Sequence, residues 1–263
     1  MLHKLDSIQY SDLISIAGTH KCGSVYPLSV AEGIQEGDVF SDSVDTLEKV
    51  LFWTQSGFAY LFGEVDESFL EDIYDIMLDR NKTNEKRFIL MSKDEYAENY
   101  FKTKDDICIE KRYLFEYAGD KIINEFHLPS GCELKEMDEE LLKKISGTIV
   151  PSLFWKNVND FLTKEKGYCI SCGDEVVAWA FSAAISTKEI DIGIETNQKY
   201  QHQGLGKIVA KKMIQYTIEQ SKQPVWACHY KNRASEKMAG KLGFVKMFEC
   251  LVIKKNTNCN INS

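Results

Sequence analysis

The chain has 263 residues, 44% of them apolar, which is enough to bury one large core or two smaller ones. Its formal net charge is -8 and it holds no long run of Lys or Arg. Sequence-independent nucleic-acid binding, which needs cations that neutralise phosphates, is therefore not expected. An acidic chain of this kind suits a soluble enzyme with a neutral or cationic substrate.

The N-terminal segment and the cysteines bear on the cellular compartment. The first residues, MLHKLDSIQYSDL, lack the apolar stretch of a signal peptide. The most apolar run, VVAWAFSAAI, is far shorter than the ~20 residues of a membrane span. The 8 cysteines are scattered, and a chain of this length does not depend on a disulfide scaffold. We therefore expect a cytoplasmic protein that does not enter the membrane.

The first half is predicted to form a mixed α/β domain over residues 1–128. Strands are expected in GFAYLFGEVD, RFILMS and RYLFEY, and the apolar spacing in ESFLEDIYDIML predicts a helix. Four aromatic residues are expected in its core rather than around a ligand: Trp53, Phe58, Tyr60 and Phe62. The break to the next domain is predicted in FHLPSGCELKEMDEE, which Pro129, Ser130 and Gly131 punctuate.

The second half is predicted as a domain over residues 129–263, opening with a strand in CELKEMD and a helix in EELLKKI. PSLFWKNVNDFLTKEKG has apolar residues at helical spacing and is predicted as one helix. YCISC and EVVAWAFSAAIS flank a Gly173-Asp174 turn and predict a β-hairpin. This hairpin holds the one CxxC, Cys169 and Cys172, which lacks the other ligands of a zinc site and the helix start of a redox pair. Both cysteines are expected to be buried or turn residues without chemistry.

An alternating strand, a glycine turn and an amphipathic helix follow. In KEIDIGIET the isoleucines alternate with acidic residues and Gly193, so the two sets lie on opposite faces. The helix after QHQGLG carries one apolar stripe made of Leu205, Ile208, Val209, Met213 and Tyr216. A strand in PVWACHY, a helix in NRASEKMAGKLGF capped by Asn232 and ended by Gly243, and a strand in FVKMFECLVIKK complete the order. The order β-α-α-β-β-β-α-β-α-β predicts an α+β (mixed α/β) fold.

The turn at Gly204 and Gly206 is of a kind that binds anions. The first turn of a helix has N–H groups without intrahelical partners and a positive dipole, and glycines let a phosphate approach them. A P-loop would require GxxxxGK(S/T), but Ile208 stands at the Ser or Thr position. A dinucleotide fingerprint would require a third glycine where Val209 stands. Both of these patterns fail.

A third pattern fits the turn. QxxGxG (Gln201, Gly204 and Gly206) resembles motif A of the GNAT acyltransferase superfamily, and NxxSxxxAxKLGF from Asn232 resembles its motif B. The resemblance covers roughly residues 131–254. It implies a C-terminal GNAT-like domain with a central, mostly antiparallel twisted sheet flanked by helices. The whole chain also resembles a bacterial subgroup with an extra, smaller mixed α/β domain in front. A degenerate GNAT-like copy is one interpretation of this first domain, which has no QxxGxG of its own.

The resemblance implies acetyl-CoA as co-substrate. Backbone amides of the turn would bind its pyrophosphate, and the end of the preceding strand would pair with the pantetheine arm like an added strand. Asn232 and Ser235 would lie near the pantetheine or the sulfur, although Asn232 could serve only as a helix cap. The cofactor-binding residues are thus expected to be Ile194, Glu195, Thr196, Gln201, His202, Gln203, Gly204, Leu205, Gly206, Lys207, Asn232 and Ser235.

Candidate catalytic residues follow from the same resemblance. Glu189 is the first candidate for the base that deprotonates an amine and Asp191 the second, with a solvated polar face as the alternative. Many members carry a tyrosine in motif B that protonates the thiolate, but Ala239 stands at that position. Tyr230, with the neighbouring His229, is the nearest substitute, and water or the product amine is the alternative.

The expected reaction is transfer of an acetyl group to the amine of an unidentified small molecule or peptide by direct attack, without a metal. No nucleic-acid or membrane partner is expected. The N-terminal domain would shape the acceptor site or form a homodimer interface. An acyl-CoA-binding sensor or pseudoenzyme with little catalysis is the alternative, because both motifs speak mainly for cofactor binding.

Overall fold

The computed structural model describes residues 2–43, 46–79, 81, 83, 86–119 and 127–256. The chain divides into two compact units. Unit 1 comprises residues 1–114, 229–231 and 248–263, and unit 2 comprises residues 115–228 and 232–247. Unit 1 is therefore built from both ends of the chain. The domain division after residue 128 stays a prediction.

Unit 1 is a sheet with helices, in which β1 to β5 are neighbours in chain order. All adjacent pairs among these strands are antiparallel except β4 and β5, which are parallel and joined by α3. Residues 251–254 of the last strand, β12, add an antiparallel neighbour to β5. The elements are β1 (His3–Lys4), a 3-10 helix (Ser7–Leu13), α1 (Ile14–Ala17), α2 (Val25–Ala31), β2 (Gly37–Ser41), β3 (Val50–Thr54), β4 (Phe58–Phe62), α3 (Glu67–Leu78), β5 (Ile89–Ser92), α4 (Glu95–Lys102), the start of β6 (Ile107–Tyr117) and the end of β12 (Phe244–Lys255).

The predicted helix in ESFLEDIYDIML is confirmed as α3. It begins after Asp66, whose carboxylate accepts a hydrogen bond from the Phe69 N–H at 2.9 Å. Its face with Phe69, Leu70 and Ile73 is buried in the core of unit 1. The four aromatic residues that were predicted to be core residues are also buried: Trp53, Phe58, Tyr60 and Phe62.

Unit 2 has the strand order β6-β11-β10-β9-β8-β7. The pairs from β7 to β10 are antiparallel, and β10 and β11 are parallel and joined by α8. The predicted mostly antiparallel sheet is confirmed here. The elements are the end of β6, β7 (Cys132–Glu136), α5 (Glu139–Lys144), α6 (Pro151–Phe154), α7 (Val158–Lys164), β8 (Gly167–Cys172), β9 (Glu175–Ile185), β10 (Glu189–Thr196), a 3-10 turn (Gln198–Tyr200), α8 (Leu205–Glu219), β11 (Gln223–His229, its last residue in unit 1), α9 (Arg233–Leu242) and the start of β12.

The single helix predicted in PSLFWKNVNDFLTKEKG is wrong, because two short helices, α6 and α7, occupy this segment. Trp155 adopts an extended conformation with ψ 148° and ends α6. The Asn157 side chain then accepts a hydrogen bond from the Asp160 N–H at 2.8 Å, which caps a new helix. Apolar spacing continued through both helices and did not reveal the break.

The expectation for the CxxC is corrected for one of its two cysteines. Cys169 is a buried free thiol, but Cys172 forms a disulfide with Cys132. These two residues face each other in the β7–β8 pair, although they are 40 positions apart in the sequence. Motif spacing does not report such a cross-strand pair. Among the helices of the described residues, none is long and apolar enough to cross a membrane.

The two units repeat one order of elements. In unit 1, the β2-β3-β4 meander is followed by α3, the parallel strand β5 and α4. In unit 2, the β8-β9-β10 meander is followed by α8, the parallel strand β11 and α9. The sequence of unit 1 lacks the QxxGxG that lies between the meander and the helix of unit 2.

The half-buried His20 of unit 1 predicts a loss of stability in acid. Its ring lies 5.0 Å from the Tyr60 ring and its Nδ1 accepts a hydrogen bond from the Cys22 N–H. Burial lowers the pKa of His20 from 6.5 to about 4. The unfolded chain thus binds a proton that the folded chain does not, so stability is full above pH 6.5 and falls as the pH approaches 4.

Urea denaturation at pH 7.5, 5.5 and 4.5 measures this effect. The decrease between pH 7.5 and 4.5 should be smaller in His20→Asn than in the wild type. The matched variant His127→Gln, at an exposed histidine, should retain the wild-type decrease. An unchanged decrease in His20→Asn would contradict the assignment.

Gly193 in β10 is predicted to tolerate no side chain. A Cβ there would lie 2.9 Å from Cζ of Phe181, a fully buried residue packed between other rings. Gly193→Ala should lower the free energy of unfolding by about 1–3 kcal/mol, because the core is overpacked. Gly240→Ala is the matched control in α9, where a Cβ meets nothing within 4 Å. Helix propensity predicts a gain of up to about 1 kcal/mol there, and urea denaturation checks both values.

Candidate functional site

The strands β10 and β11 separate towards their carboxyl ends. Their register holds only three pairs, from Glu189 with Gln223 to Asp191 with Val225. β10 continues to Thr196 and stays paired with β9 on its other side. Beyond Asp191, therefore, the edge of β10 that faces β11 has no ladder partner among the described strand pairs. This fork is open to an extended chain that hydrogen-bonds to the strand edge.

The glycine turn lies between the end of β10 and α8. Gly204 is the N-cap of α8 with φ 81°, and its carbonyl accepts hydrogen bonds from the N–H groups of Lys207 and Ile208. Among the described residues, none accepts a hydrogen bond from the backbone N–H groups of residues 202–206. The helix dipole places positive potential at the same point. The turn therefore has the geometry of an anion site, and binding of the cofactor there stays a prediction.

The two glycines of the turn have different roles. A Cβ on Gly204 would meet nothing within 4 Å, so the space in front of this residue is open. A Cβ on Gly206 would lie 2.7 Å from the Thr196 Oγ1 and 3.7 Å from Cδ1 of Ile194. Gly206 therefore lets the first turn of α8 pack directly on the end of β10, and Leu205 beside it is buried.

Side chains hold the segment that leads into the turn. Gln201 donates from Nε2 to the Thr196 carbonyl at 3.3 Å. The Glu175 carboxylate accepts hydrogen bonds from Asn197 Nδ2 at 3.0 Å and from the Tyr200 hydroxyl at 3.1 Å. The polar side chains of the turn itself are exposed: His202, Gln203 and Lys207. Two of these three can carry positive charge beside an anion.

The alternation predicted for β10 is confirmed. Ile194 lies over Gly206 of α8, whereas Gly193 lies against Phe181 on the opposite face. The alternative of a solvated polar face does not hold at Asp191, which is only 5% exposed, whereas Glu189 and Glu195 are half-buried. Glu189 is half-buried at the closed end of the fork, and Asp191 occupies the last paired position before the strands separate.

The Glu195 side chain is used in a contact that the sequence did not predict. Its Oε2 accepts hydrogen bonds from the backbone N–H groups of Thr148 at 2.8 Å and Ile149 at 2.7 Å. Trp179, which faces Glu195 across the β9–β10 pair, donates from Nε1 to the Ile149 carbonyl at 2.8 Å. Residues 147–149 are thus attached to the end of β10. Only Gly147 in SGTIVP hinted at a close contact.

The motif B residues serve the start of α9. Asn232 is its N-cap and accepts a hydrogen bond from the Ser235 N–H at 3.1 Å. The Ser235 hydroxyl accepts a hydrogen bond from Trp226 Nε1 at 3.0 Å. Trp226 is buried in β11, so this bond ties the helix start to the strand. The cap interpretation of Asn232 is therefore met, and a ligand role stays a prediction.

Tyr230 belongs to unit 1, and its role as an acid stays a prediction. Its N–H donates to the Lys111 carbonyl at 3.0 Å, and its ring lies 4.8 Å from that of His229. The His229 Nε2 lies 3.3 Å from the Glu110 carboxylate. A hydrogen bond from Lys254, together with the charges of Lys254 and His229, lowers the pKa of Glu110 to about 2. In unit 2, Ala239 is fully buried at the position where a tyrosine was expected.

Comparisons with known proteins show which family the chain resembles in sequence. The profile of a family described as GNAT acetyltransferase matches residues 21–252. An uncharacterized N-acetyltransferase of Bacillus subtilis (strain 168), YdfB, is 25% identical over 253 residues, which are 95% of this chain and 97% of that protein.

Solved structures share the fold at lower sequence identity. A GCN5-related N-acetyltransferase-like protein of Streptococcus suis 89/1591 has a TM-score of 0.73 at 20% identity, covering 95% of this chain and all of that one. A tandem GNAT protein from the clavulanic acid biosynthesis pathway has a TM-score of 0.65 at 9% identity, covering 97% of this chain and 98% of that one.

Removal of the α9 cap should destabilise the protein. Asn232→Ala is expected to lower the free energy of unfolding by about 1 kcal/mol, because the Ser235 N–H loses its acceptor. Asn232→Asp keeps an acceptor and should stay near the wild-type value. Asn159→Ala, at an exposed asparagine of α7, is the matched control and should change little. Equal urea midpoints for Asn232→Ala and the wild type would contradict the cap.

Proposed function

The chain belongs to the GNAT acetyltransferase family, and we propose that it transfers an acetyl group from acetyl-CoA to the amine of an acceptor by direct attack on the thioester. The observation that carries this proposal is the turn of residues 202–206, whose N–H groups lack acceptors among the described residues. Coenzyme A brings a pyrophosphate that such a turn binds. His202 and Lys207 add positive charge there.

The fork between β10 and β11 supports a proposal for where the rest of the cofactor would lie. The edge of β10 over Ile194, Glu195 and Thr196, which has no strand partner on the β11 side, would hydrogen-bond to the amides of the pantetheine arm. The thioester would then lie near the point where β10 and β11 separate. A backbone N–H of the same strand would stabilise the oxyanion that forms during attack.

Asp191 is the better candidate for the base than Glu189. Asp191 is buried and occupies the last pair before the fork opens, whereas Glu189 lies two residues further into the closed end. A carboxylate at this point could take the proton of the attacking amine directly or through one water. Tyr230 remains the proposed acid, with water or the product amine as the alternative, because Ala239 offers no proton.

We propose two domains, 1–128 and 129–263, of which the second carries the chemistry. The repeated element order and the likeness to a tandem GNAT protein support a degenerate GNAT-like copy in the first. This copy would shape the acceptor site or a homodimer interface. An acyl-CoA sensor is the second candidate, and the absence of the motif B tyrosine at Ala239 favours it.

A matched pair of glycine variants tests cofactor binding. Gly204 and Gly131 both have positive φ, 81° and 78°, and a Cβ on either would meet nothing within 4 Å. Valine should therefore cost each a similar backbone strain of about 1–2 kcal/mol. Only Gly204→Val puts a side chain where the pyrophosphate would lie. Its affinity for acetyl-CoA should fall at least tenfold, or about 1.4 kcal/mol, by calorimetry.

Gly131→Val should retain the wild-type affinity, and equal affinities in both variants would argue against the pyrophosphate site. Transfer is measured by thiol release with acetyl-CoA and a panel of small amines, polyamines and aminoglycosides. Asp191→Asn should lower kcat on any accepted amine by about 10²–10⁴. Tight binding of acetyl-CoA without turnover on the panel would favour the sensor.

A further inference from the structure

We propose that Glu195 is a positioning residue, whose carboxylate fixes residues 147–150 at the end of β10 as one wall of the acceptor pocket. This inference rests on the proposed function, because that function puts the thioester at the carboxyl end of the same strand. It gives the Glu195 carboxylate a role in holding the segment between α5 and α6 rather than in proton transfer.

The carboxylate of Glu195 is committed to the backbone of this segment. Its Oε2 accepts from two consecutive N–H groups, those of Thr148 and Ile149, at 2.8 and 2.7 Å. The Thr148 hydroxyl lies 3.4 Å from Oε1. Hydrogen bonds to an ionised carboxylate are the stronger kind. Among the described residues, neither of these two N–H groups has a backbone acceptor, so Glu195 supplies acceptors that this stretch otherwise lacks.

A second contact fixes the position of the segment relative to the strand. Trp179 is almost fully buried, faces Glu195 in the β9–β10 register, and donates to the carbonyl of Ile149. A Cβ on Gly147 would lie 2.4 Å from Oε2 of Glu195 and 2.6 Å from Cζ2 of Trp179. The segment therefore lies directly against both side chains, and only glycine fits at its start.

The attachment point lies beside the proposed reaction centre. Glu195 follows Ile194, which contacts Gly206 of the turn, and precedes Thr196, whose Oγ1 lies over the same glycine. Its side chain points to the opposite face of the sheet, where Asp191 is buried. In this arrangement the cofactor would lie along the open edge of β10. The glycine turn would lie on one face of the strand, and residues 147–150 on the other face. Loss of this attachment should therefore weaken binding of the amine more than binding of acetyl-CoA.

Variants at Glu195 distinguish the effect of side-chain length from the effect of charge. Glu195→Gln keeps the length and a carbonyl acceptor without the charge, Glu195→Asp keeps the charge but is one methylene shorter, and Glu195→Ala loses both. Glu133→Ala is the matched control, because Glu133 is an exposed carboxylate on β7 in an ion pair with Lys135. The readouts are hydrogen exchange of the backbone amides of residues 147–150 in the free protein, and the KM values of acetyl-CoA and of an amine that the wild type acetylates.

If Glu195 is a positioning residue, Glu195→Gln should have the amide exchange rates and KM values closest to those of the wild type. The Asp and Ala variants should exchange the amides of Thr148 and Ile149 at least tenfold faster, and their KM for the amine should rise at least tenfold, by a larger factor than that for acetyl-CoA. Glu133→Ala should match the wild type. Protection of both amides in Glu195→Ala would overturn the attachment. Faster exchange with an unchanged KM for the amine would overturn the pocket wall.

A higher activity of Glu195→Asp than of Glu195→Gln would instead identify Glu195 as a base and overturn the proposal. Failure of the proposed function gives a different result. A chain that binds no acetyl-CoA would defeat that function and the pocket wall with it, while exchange in the free protein would still decide whether Glu195 holds the segment.

Discussion

The early separation of β10 from β11 is the constraint on which the rest of unit 2 depends. A parallel pair that stops after three residues leaves a strand edge without a ladder partner. Backbone groups that lack a partner are costly when buried. A ligand with its own amides can satisfy them. The crossover helix between the two strands must then begin beside the opening, so its N-terminal N–H groups point to the same place. One break in strand pairing thereby places an open strand edge beside a helix start whose first N–H groups have no intrahelical partner.

The two units show how one element order can gain or lose such a site. In unit 1 the helix after the meander is capped by Asp66, which accepts a hydrogen bond from Phe69 and pairs with Lys49. A carboxylate of the chain already occupies the anion position there. In unit 2 the cap is Gly204, which has no side chain to offer. An aspartate cap supplies an acceptor for the helix start from within the chain, whereas a glycine cap leaves the first N–H groups open to another acceptor.

The sequence predicted most of what local patterns encode. The alternation of β10, the turn at Gly204, the cap at Asn232 and the helix α3 all follow from nearest-neighbour chemistry, and the structure has them where they were expected. The contacts that the sequence did not predict are long-range ones. The Cys132–Cys172 disulfide and the attachment of Thr148 to Glu195 join positions 40 and 47 apart. No periodicity reports such contacts. Inside PSLFWKNVNDFLTKEKG, Asn157 was overlooked because apolar spacing hid a cap.

Acidic residues around the site serve structure more often than their number suggests. Glu195 holds residues 148 and 149, Glu175 holds Asn197 and Tyr200, and the buried Glu165 accepts hydrogen bonds from Ser182 and Tyr216. Burial, with the Glu165 carboxylate, raises the pKa of Tyr216, so its hydroxyl stays a donor. A carboxylate that such donors hold in place is not free to turn towards a substrate. A count of acidic residues on the sheet therefore overstates the candidates for a base, and Asp191 stands out by its place at the fork rather than by its residue type.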